Sequence, residues 1–301
     1  MPTVLDSDPL RDARMVAAVL EWFAEAGRDL PWRGPDATPW GVLVSEIMLQ
    51  QTPVVRVDPV WREWMTRWPS PGDLAAAEQA DAVRAWGRLG YPRRAKRLWE
   101  CAGALVDRHG GKVPWTYEEL LDLPGIGDYT AAAVVAFAHG RRSVVLDTNV
   151  RRVIGRAWHG RALPAAHQTV GERAHAASLV PPDDAGAAEW AVASMELGAL
   201  VCTARVARCE ECPLARDCRW LAAGRPGLVN APRRTQPWHG TDRQVRGRIM
   251  ALLRSATSPV NVTGHATLED VEPGQLDRCL EGLVADGLVR PIDDARGTYA
   301  L

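Results

Sequence analysis

The chain has 301 residues, 47% of them apolar and 24% charged, with a formal net charge of −1. That length holds two or three domains with a sizeable core, and that composition excludes a disordered chain. No run of 18 apolar residues occurs, and no basic stretch leads into an apolar one at the N-terminus. Neither a membrane span nor an export signal is read, and a cytoplasmic location is expected.

Helical periodicity dominates the chain. It predicts helices over 10–26, 40–51, 54–67, 73–78, 80–88, 92–109, 117–122, 129–139, 148–158, 166–178 and 186–200, separated by Pro and Gly. In the second of these, "VSEIMLQQTP" (44–53) sets Glu46 among Val42, Leu43, Val44, Ile47, Met48 and Leu49. Burying an unpaired ionised carboxylate costs several kcal/mol, so Glu46 in such a run points to a chemical task.

Positive charge is local, in "RAWGRLGYPRRAKR" (84–97), "RRSVVLDTNVRRVIGR" (141–156) and 233–248. Such clusters are either solvated faces or sites for a polyanion. Arginine supplies nearly all of it, since Lys96 and Lys112 are the only lysines.

In "LDLPGIGDYTAAAVVAFA" (121–138), Gly125 and Gly127 sit in a turn between two helices. Either they only permit the bend, or the turn and the next helix's first N–H groups hold a phosphate. In "VVLDTNVRRV" (144–153), Asp147 stands just before a helix, where its ordinary role is an N-cap worth about 1 kcal/mol.

Cys202, Cys209, Cys212 and Cys218 give the spacing C-x6-C-x2-C-x5-C. With no export signal, this argues for a metal centre over disulfides, and the spacing leaves a [4Fe–4S] cluster or zinc open. Arg205, Arg208, Arg216 and Arg219 surround the thiols, and positive charge favours a tetrathiolate cluster. Cys101 and Cys279 read as ordinary buried thiols. A linker is expected over 224–240, then a small module over 241–301. Two amphipathic helices and a terminal hairpin, with its turn near Asp294–Gly297, suggest a winged-helix-like unit that binds DNA or only packs.

Taken in order, "DLPWR", "SEIMLQQT", "LGYPRRA", "LPGIGDYTA", "LDTNVRRV", "MELGALVC" and the four cysteines resemble the helix-hairpin-helix DNA glycosylases. Among these the chain is most similar to the A/G-specific adenine DNA glycosylases, the MutY family, over about residues 10–222. The resemblance implies an all-α, two-domain catalytic region with DNA crossing between the domains. An iron–sulfur domain would cover 1–29 and 143–223, and a six-helix domain with the helix-hairpin-helix 30–142. The four cysteines would then ligate a [4Fe–4S] cluster.

The resemblance also implies the chemistry. The partner is double-stranded DNA with adenine opposite 8-oxoguanine or guanine, and the protein is expected as a nucleoid-associated monomer. The adenine is flipped out of the duplex. Glu46 matches the general acid and Asp147 the carboxylate that stabilises the positive sugar, with roles split as in glycoside hydrolysis. Apolar surroundings are expected to raise the pKa of Glu46. Tyr129 stands where the endonuclease III branch carries a Schiff-base lysine, which implies a monofunctional enzyme. Asn149 matches an active-site amide, and Arg28, Leu30, Trp32 and Arg33 match the adenine-pocket segment. Gln51, Thr52, Leu89 and Tyr91 match residues that wedge into the stack and contact the opposite base, while Gly125 and Gly127 match the DNA-binding hairpin.

Three positions depart from the family pattern. Val192 replaces a Gln or Glu that touches adenine, Pro92 an aromatic, and Thr148 a glycine. The segment after the linker is also too short for the Nudix-like domain of many relatives, and 241–301 either substitutes for it, through Arg243, Arg246 and Arg248, or only caps the catalytic region. Two other functions stay open: a thymine glycosylase at T·G mismatches, and a non-catalytic iron–sulfur DNA-binding or redox-sensing protein. Thymine lacks the imidazole ring that Glu46 would protonate, and a non-catalytic protein needs no carboxylate pair.

Overall fold

The helix Pro39–Leu49 forms from a continuous apolar run, and Val42, Leu43, Val44, Ile47 and Met48 are all buried. It ends at Leu49, two residues before the end expected from the sequence, because Gln51 adopts a left-handed φ of 55° and Pro53 follows. In the computed structural model, residues 8–227, 239–292 and 296–301 are described. The expected linker over 224–240 therefore lies largely outside the described residues, as does most of the expected hairpin turn. No helix among the described residues is long and apolar enough to cross a membrane.

Two compact units make up the chain. One comprises Met1–Glu46, Pro114–Asp122 and Ile126–Ala231. Its core gathers Met15 and Val19 of helix Pro9–Ala26, Val150 and Ile154 of helix Thr148–Ala157, and Trp190 and Leu197 of helix Asp184–Leu200. Asp8 caps the first of these helices, and the Trp158 indole N–H donates to Asp12 Oδ1 at 2.7 Å, tying that helix to the core. Gly198 lets the last two helices touch: a Cβ there would stand 2.7 Å from Asn149 Cβ. The helix expected over 166–178 begins at Val170 instead, where Thr169 and Glu172 form a capping box. A smaller alanine-rich core, Ala132, Ala133, Ala136, Val145 and Ala191, lies beside Tyr129.

The other unit comprises Ile47–Val113, Leu123–Gly125 and Pro232–Leu301. Trp64 packs edge-on against Trp68 and Trp86, with ring centroids 4.8 and 5.6 Å apart. Helix Arg93–His109 buries Ala95, Leu98, Cys101 and Leu105, and burial pushes the Cys101 thiol up to about 12, an inert core group. Residues 239–301 supply helices Asp242–Ser255 and Pro273–Ala285 and strands β1 (Val260–Asn261), β2 (Arg290–Pro291) and β3 (Thr298–Ala300). β3 lies between the others, antiparallel to both, with Tyr299 opposite Val260 and Pro291.

Candidate active site

Glu46 is 4% exposed, and its Oε2 accepts a hydrogen bond of 2.9 Å from the Tyr129 hydroxyl. Helix Asp128–His139 carries Tyr129; it is apolar nearly all round, so one side of Tyr129's turn packs into the alanine-rich core. Burial raises the Glu46 pKa to about 7; the Tyr129 hydroxyl and Arg33 oppose that rise, and the charge of Asp147 adds to it. Tyr129 itself is held well above its ordinary value by burial and by the neighbouring carboxylates, so it stays a hydroxyl donor.

Asp147 fills the N-cap that the sequence allowed. Its Oδ1 caps helix Thr148–Ala157 by accepting from the Val150 N–H at 2.7 Å, and its Oδ2 accepts from Asn149 Nδ2 at 2.8 Å. Burial raises its pKa, against the pull of those hydrogen bonds. The Asn149 amide is oriented from the other end, since its Oδ1 accepts from Arg152 Nη2 at 2.8 Å. Arg152 also donates to the carbonyls of Gly198 and Cys202, both at 2.7 Å, so one buried guanidinium links this amide to the cysteine loop.

Glu196 was missed in the sequence. It is 1% exposed, and it accepts from Arg28 Nε at 2.5 Å, Arg28 Nη2 at 2.8 Å and Arg33 Nη2 at 3.1 Å. Burial alone would raise this carboxyl, but the two arginines hold it down at about 2. Nη1 of Arg33 is buried with no hydrogen-bond partner among the described residues. A buried guanidinium N–H without an acceptor is a costly group that a bound base can satisfy. The signal for Glu196 was available, for it stands in an apolar helix among Ala193, Leu197 and Gly198 as Glu46 stands in its own. Leu30 and Trp32 are buried and Val192 is half-buried.

The four cysteines line one apolar cavity with Ala207 and Leu221. Arg156, buried and stacked on the Trp220 ring at 4.4 Å, donates to Cys202 Sγ at 3.5 Å. Burial first, and then the three neighbouring thiols, push the Cys212 thiol up to about 12 against the pull of the Leu214 backbone. No three His, Cys, Asp or Glu side chains among the described residues are grouped closely enough to hold a metal ion. Four soft thiolates converging on one cavity are the donor set of either a [4Fe–4S] cluster or zinc.

In the second unit, Gln51 and Tyr91 are exposed, and both have a left-handed backbone, with φ of 55° and 49°. Thr52 and Leu89 are buried, and the Thr52 hydroxyl donates to the Leu89 carbonyl at 3.4 Å. Arg94, also missed in the sequence, joins the two segments. Its Nη1 donates to the carbonyls of Ile47, Met48 and Gln50, and its Nη2 to Thr52 Oγ1 and the Gly90 carbonyl. The helix end at Leu49 is thus capped by a side chain from a distant segment.

At the hairpin, Gly125 has a φ of 81° and a Cβ there would lie 2.8 Å from Arg97 Cβ. Gly127 is the N-cap of helix Asp128–His139, and a Cβ there would meet nothing within 4 Å. Both glycines are exposed.

Comparison with known proteins decides the class. Residues 44–177 match the HhH-GPD superfamily, described as base excision DNA repair proteins. The chain is 48% identical over 298 residues to an adenine DNA glycosylase of Mycobacterium tuberculosis, covering 98% of this chain and 97% of that protein. It belongs to the adenine DNA glycosylase family. A second member, from Mycolicibacterium smegmatis, is 50% identical over 286 residues, 94% of each chain. The solved structure of a thermostable thymine-DNA glycosylase superposes with a TM-score of 0.64 at 27% identity, covering 72% of this chain and all of that one. The largely helical glycosylase fold is therefore common to the adenine and thymine branches.

Proposed function

We propose that the protein is a monofunctional glycosylase that removes adenine opposite 8-oxoguanine or guanine in duplex DNA. The observation that carries this reading is the buried Glu46, whose pKa of about 7 leaves a proton to donate near neutrality. Glu46 protonates the imidazole ring of a flipped adenine, the bond from the sugar to the base breaks, and the electron pair leaves with the base. Asp147, held by Val150 and Asn149, faces the positive sugar that results. Water then adds to the sugar and its proton returns to Glu46. Tyr129 fills the position of a Schiff-base lysine and has no amine to attack the sugar.

Arg33, fixed by Glu196, offers its unsatisfied N–H to an acceptor on the base. Gln51 and Tyr91 contact the opposite base, while the buried Thr52 and Leu89 support them. The exposed turn at Gly125 and Gly127 meets the phosphate backbone. Cys202, Cys209, Cys212 and Cys218, which line one cavity, would hold a [4Fe–4S] cluster. When bound, it supplies a four-point cross-link that fixes the loop carrying them. The unit formed by 241–301, with two helices and a three-stranded antiparallel sheet, is a winged-helix-like module.

The test uses purified protein and three duplexes, with A opposite 8-oxoguanine, A opposite guanine, and T opposite guanine, followed by alkaline cleavage of abasic sites. Scission at the two adenine duplexes is expected. Scission at thymine alone would overturn the reading, and none at any duplex would favour a non-catalytic DNA-binding protein.

A further inference from the structure

The C-terminal module meets the segment that carries Tyr91 at one carboxylate. Asp286, whose side chain is 10% exposed, is the C-cap of helix Pro273–Ala285 and pairs with Arg246 of helix Asp242–Ser255. It also pairs with Arg93, which opens helix Arg93–His109 two residues after Tyr91. Burial would raise this carboxyl, but the two arginines hold it below its ordinary value, so it stays charged at neutral pH. The next residue fixes the same turn: Gly287 has a φ of 65°, and a Cβ there would stand 2.8 Å from Lys96 Cε. The Gly287 carbonyl accepts from Gln79 Nε2 at 2.7 Å. Residues 286–287 are thus set against helix Gln79–Ala85 and the start of helix Arg93–His109.

Those two helices flank residues 86–92, and within that stretch Tyr91 holds a φ of 49°. A tyrosine lacks the freedom of a glycine there, so such a backbone persists only where its surroundings over-determine it. One hold is local. The Trp86 indole N–H donates to the Gly90 carbonyl at 2.9 Å, and Arg94 donates to the same carbonyl at 3.1 Å and lies 5.4 Å from the centre of the Tyr91 ring. The second hold comes from the module. Asp286 fixes Arg93 beside Arg94, and the Arg243 guanidinium stands 5.9 Å from the centre of the Tyr91 ring. Arg248, on the same helix as Arg243 and Arg246, pairs with Asp270 and the Thr267 carbonyl inside the module.

We infer that the C-terminal module braces the opposite-base loop, and that Asp286 is the positioning residue through which it favours adenine opposite 8-oxoguanine over adenine opposite guanine. The inference rests on the reading of Tyr91 as an opposite-base contact. The module acts through residues of the catalytic region and reads no base itself, for Arg246 and Arg248 are engaged by Asp286 and Asp270. A loop fixed before DNA binds carries a smaller ordering cost at recognition, and that gain falls on the base the loop discriminates.

The test compares full-length wild type, Asp286→Asn and Asp270→Asn. Hydrogen exchange across 86–97 reads the brace whether or not adenine is released. Single-turnover excision from A opposite 8-oxoguanine and from A opposite guanine reads its use. Asp286→Asn is expected to speed exchange in that segment about tenfold and to cut the ratio of the two rates about fivefold. Asp270→Asn, which releases Arg248 instead, is expected to change neither. Arg93→Gln cuts the same bridge at an exposed side chain and is expected to reproduce Asp286→Asn even if that variant folds poorly. Removing a negative charge by itself favours DNA binding, so a selective loss runs against the simple electrostatic effect. Unchanged exchange would overturn the proposal, and equal rate losses on the two substrates would overturn it by making Asp286 purely structural. An unchanged ratio would overturn it too, and Tyr91→Ala shows where the fault lies. If Tyr91→Ala keeps the ratio as well, the reading of Tyr91 has failed; if it lowers the ratio, only the brace has.

Discussion

The Tyr129 hydroxyl donates to Oε2 of Glu46 at 2.9 Å, within a site whose other nearby charges are Arg33 and Asp147. That bond favours the ionised form of Glu46, while burial favours the protonated form and wins. The pKa of the proposed acid is thus a balance that two neighbouring side chains can tip in opposite directions.

Tyr129→Phe removes the bond that stabilises the carboxylate, so the alkaline limb of the pH profile for adenine release is expected to move to higher pH. Glu196→Gln leaves the charge of Arg33 uncompensated, which favours ionised Glu46, and the same limb is expected to move to lower pH. Rates across pH for the two variants check this; shifts in the same direction would contradict it. Glu196→Gln is also expected to cost about 3 kcal/mol of stability, because two arginines lose their buried partner.

Glu46→Gln is expected to stabilise the protein above neutral pH. A carboxyl raised from 4.5 to about 7 by folding binds more protons in the native state, so stability falls as pH rises through that window. The full penalty, on the order of 3 kcal/mol, is present above about pH 7 and absent below about pH 4. Denaturant unfolding of wild type and variant at both ends of the range checks the sign; an equal difference at both would contradict it.

Asp147→Asn is expected to lose adenine release while staying folded. An asparagine still caps helix Thr148–Ala157, so the loss of stability is expected to stay within about 1 kcal/mol, but it carries no charge for the positive sugar. Single-turnover excision beside circular dichroism separates the two effects.

Arg94→Ala is expected to destabilise the protein by about 2 kcal/mol, since it strips several carbonyls of a charged donor. It should also slow excision opposite 8-oxoguanine more than opposite guanine, because it loosens both Gln51 and Tyr91. Comparing the two substrates checks this, and an equal loss on both would assign Arg94 a purely structural role.

Cys212→Ala is expected to lose the brown colour and iron of the purified protein and to lower its thermal midpoint, since the loop it anchors packs on the core around Trp220. Iron content at normal levels would contradict the proposed ligand set.

Much of this was legible in the sequence for a physical reason. Helices that bury one face announce themselves by period, as for Arg93–His109 and Thr148–Ala157, and punctuation by Pro and Gly fixed most ends within a few residues. The end at Leu49 was only partly legible: Pro53 signals a stop, but Gln51 turns left-handed and Arg94 caps the last carbonyls from more than forty positions away. Nor could the sequence say which arginine of "YPRRAKR" turns inward; Arg93 pairs with Asp286 while its neighbour Arg94 is drawn under the loop. Glu196 was overlooked although it posed the same question as Glu46. The answer differs: Glu196 meets two guanidiniums and is held ionised, whereas Glu46 meets one hydroxyl and keeps its proton.

That contrast between two buried carboxylates is tested most directly by single-turnover release of adenine opposite 8-oxoguanine, measured from pH 5 to pH 9 for wild type and Glu46→Gln. The wild-type rate is expected to fall as pH rises through about 7, and the variant to bind the duplex while releasing no adenine at any pH. A variant that retains the wild-type rate, or a wild-type rate that climbs through neutrality, would contradict Glu46 as the acid.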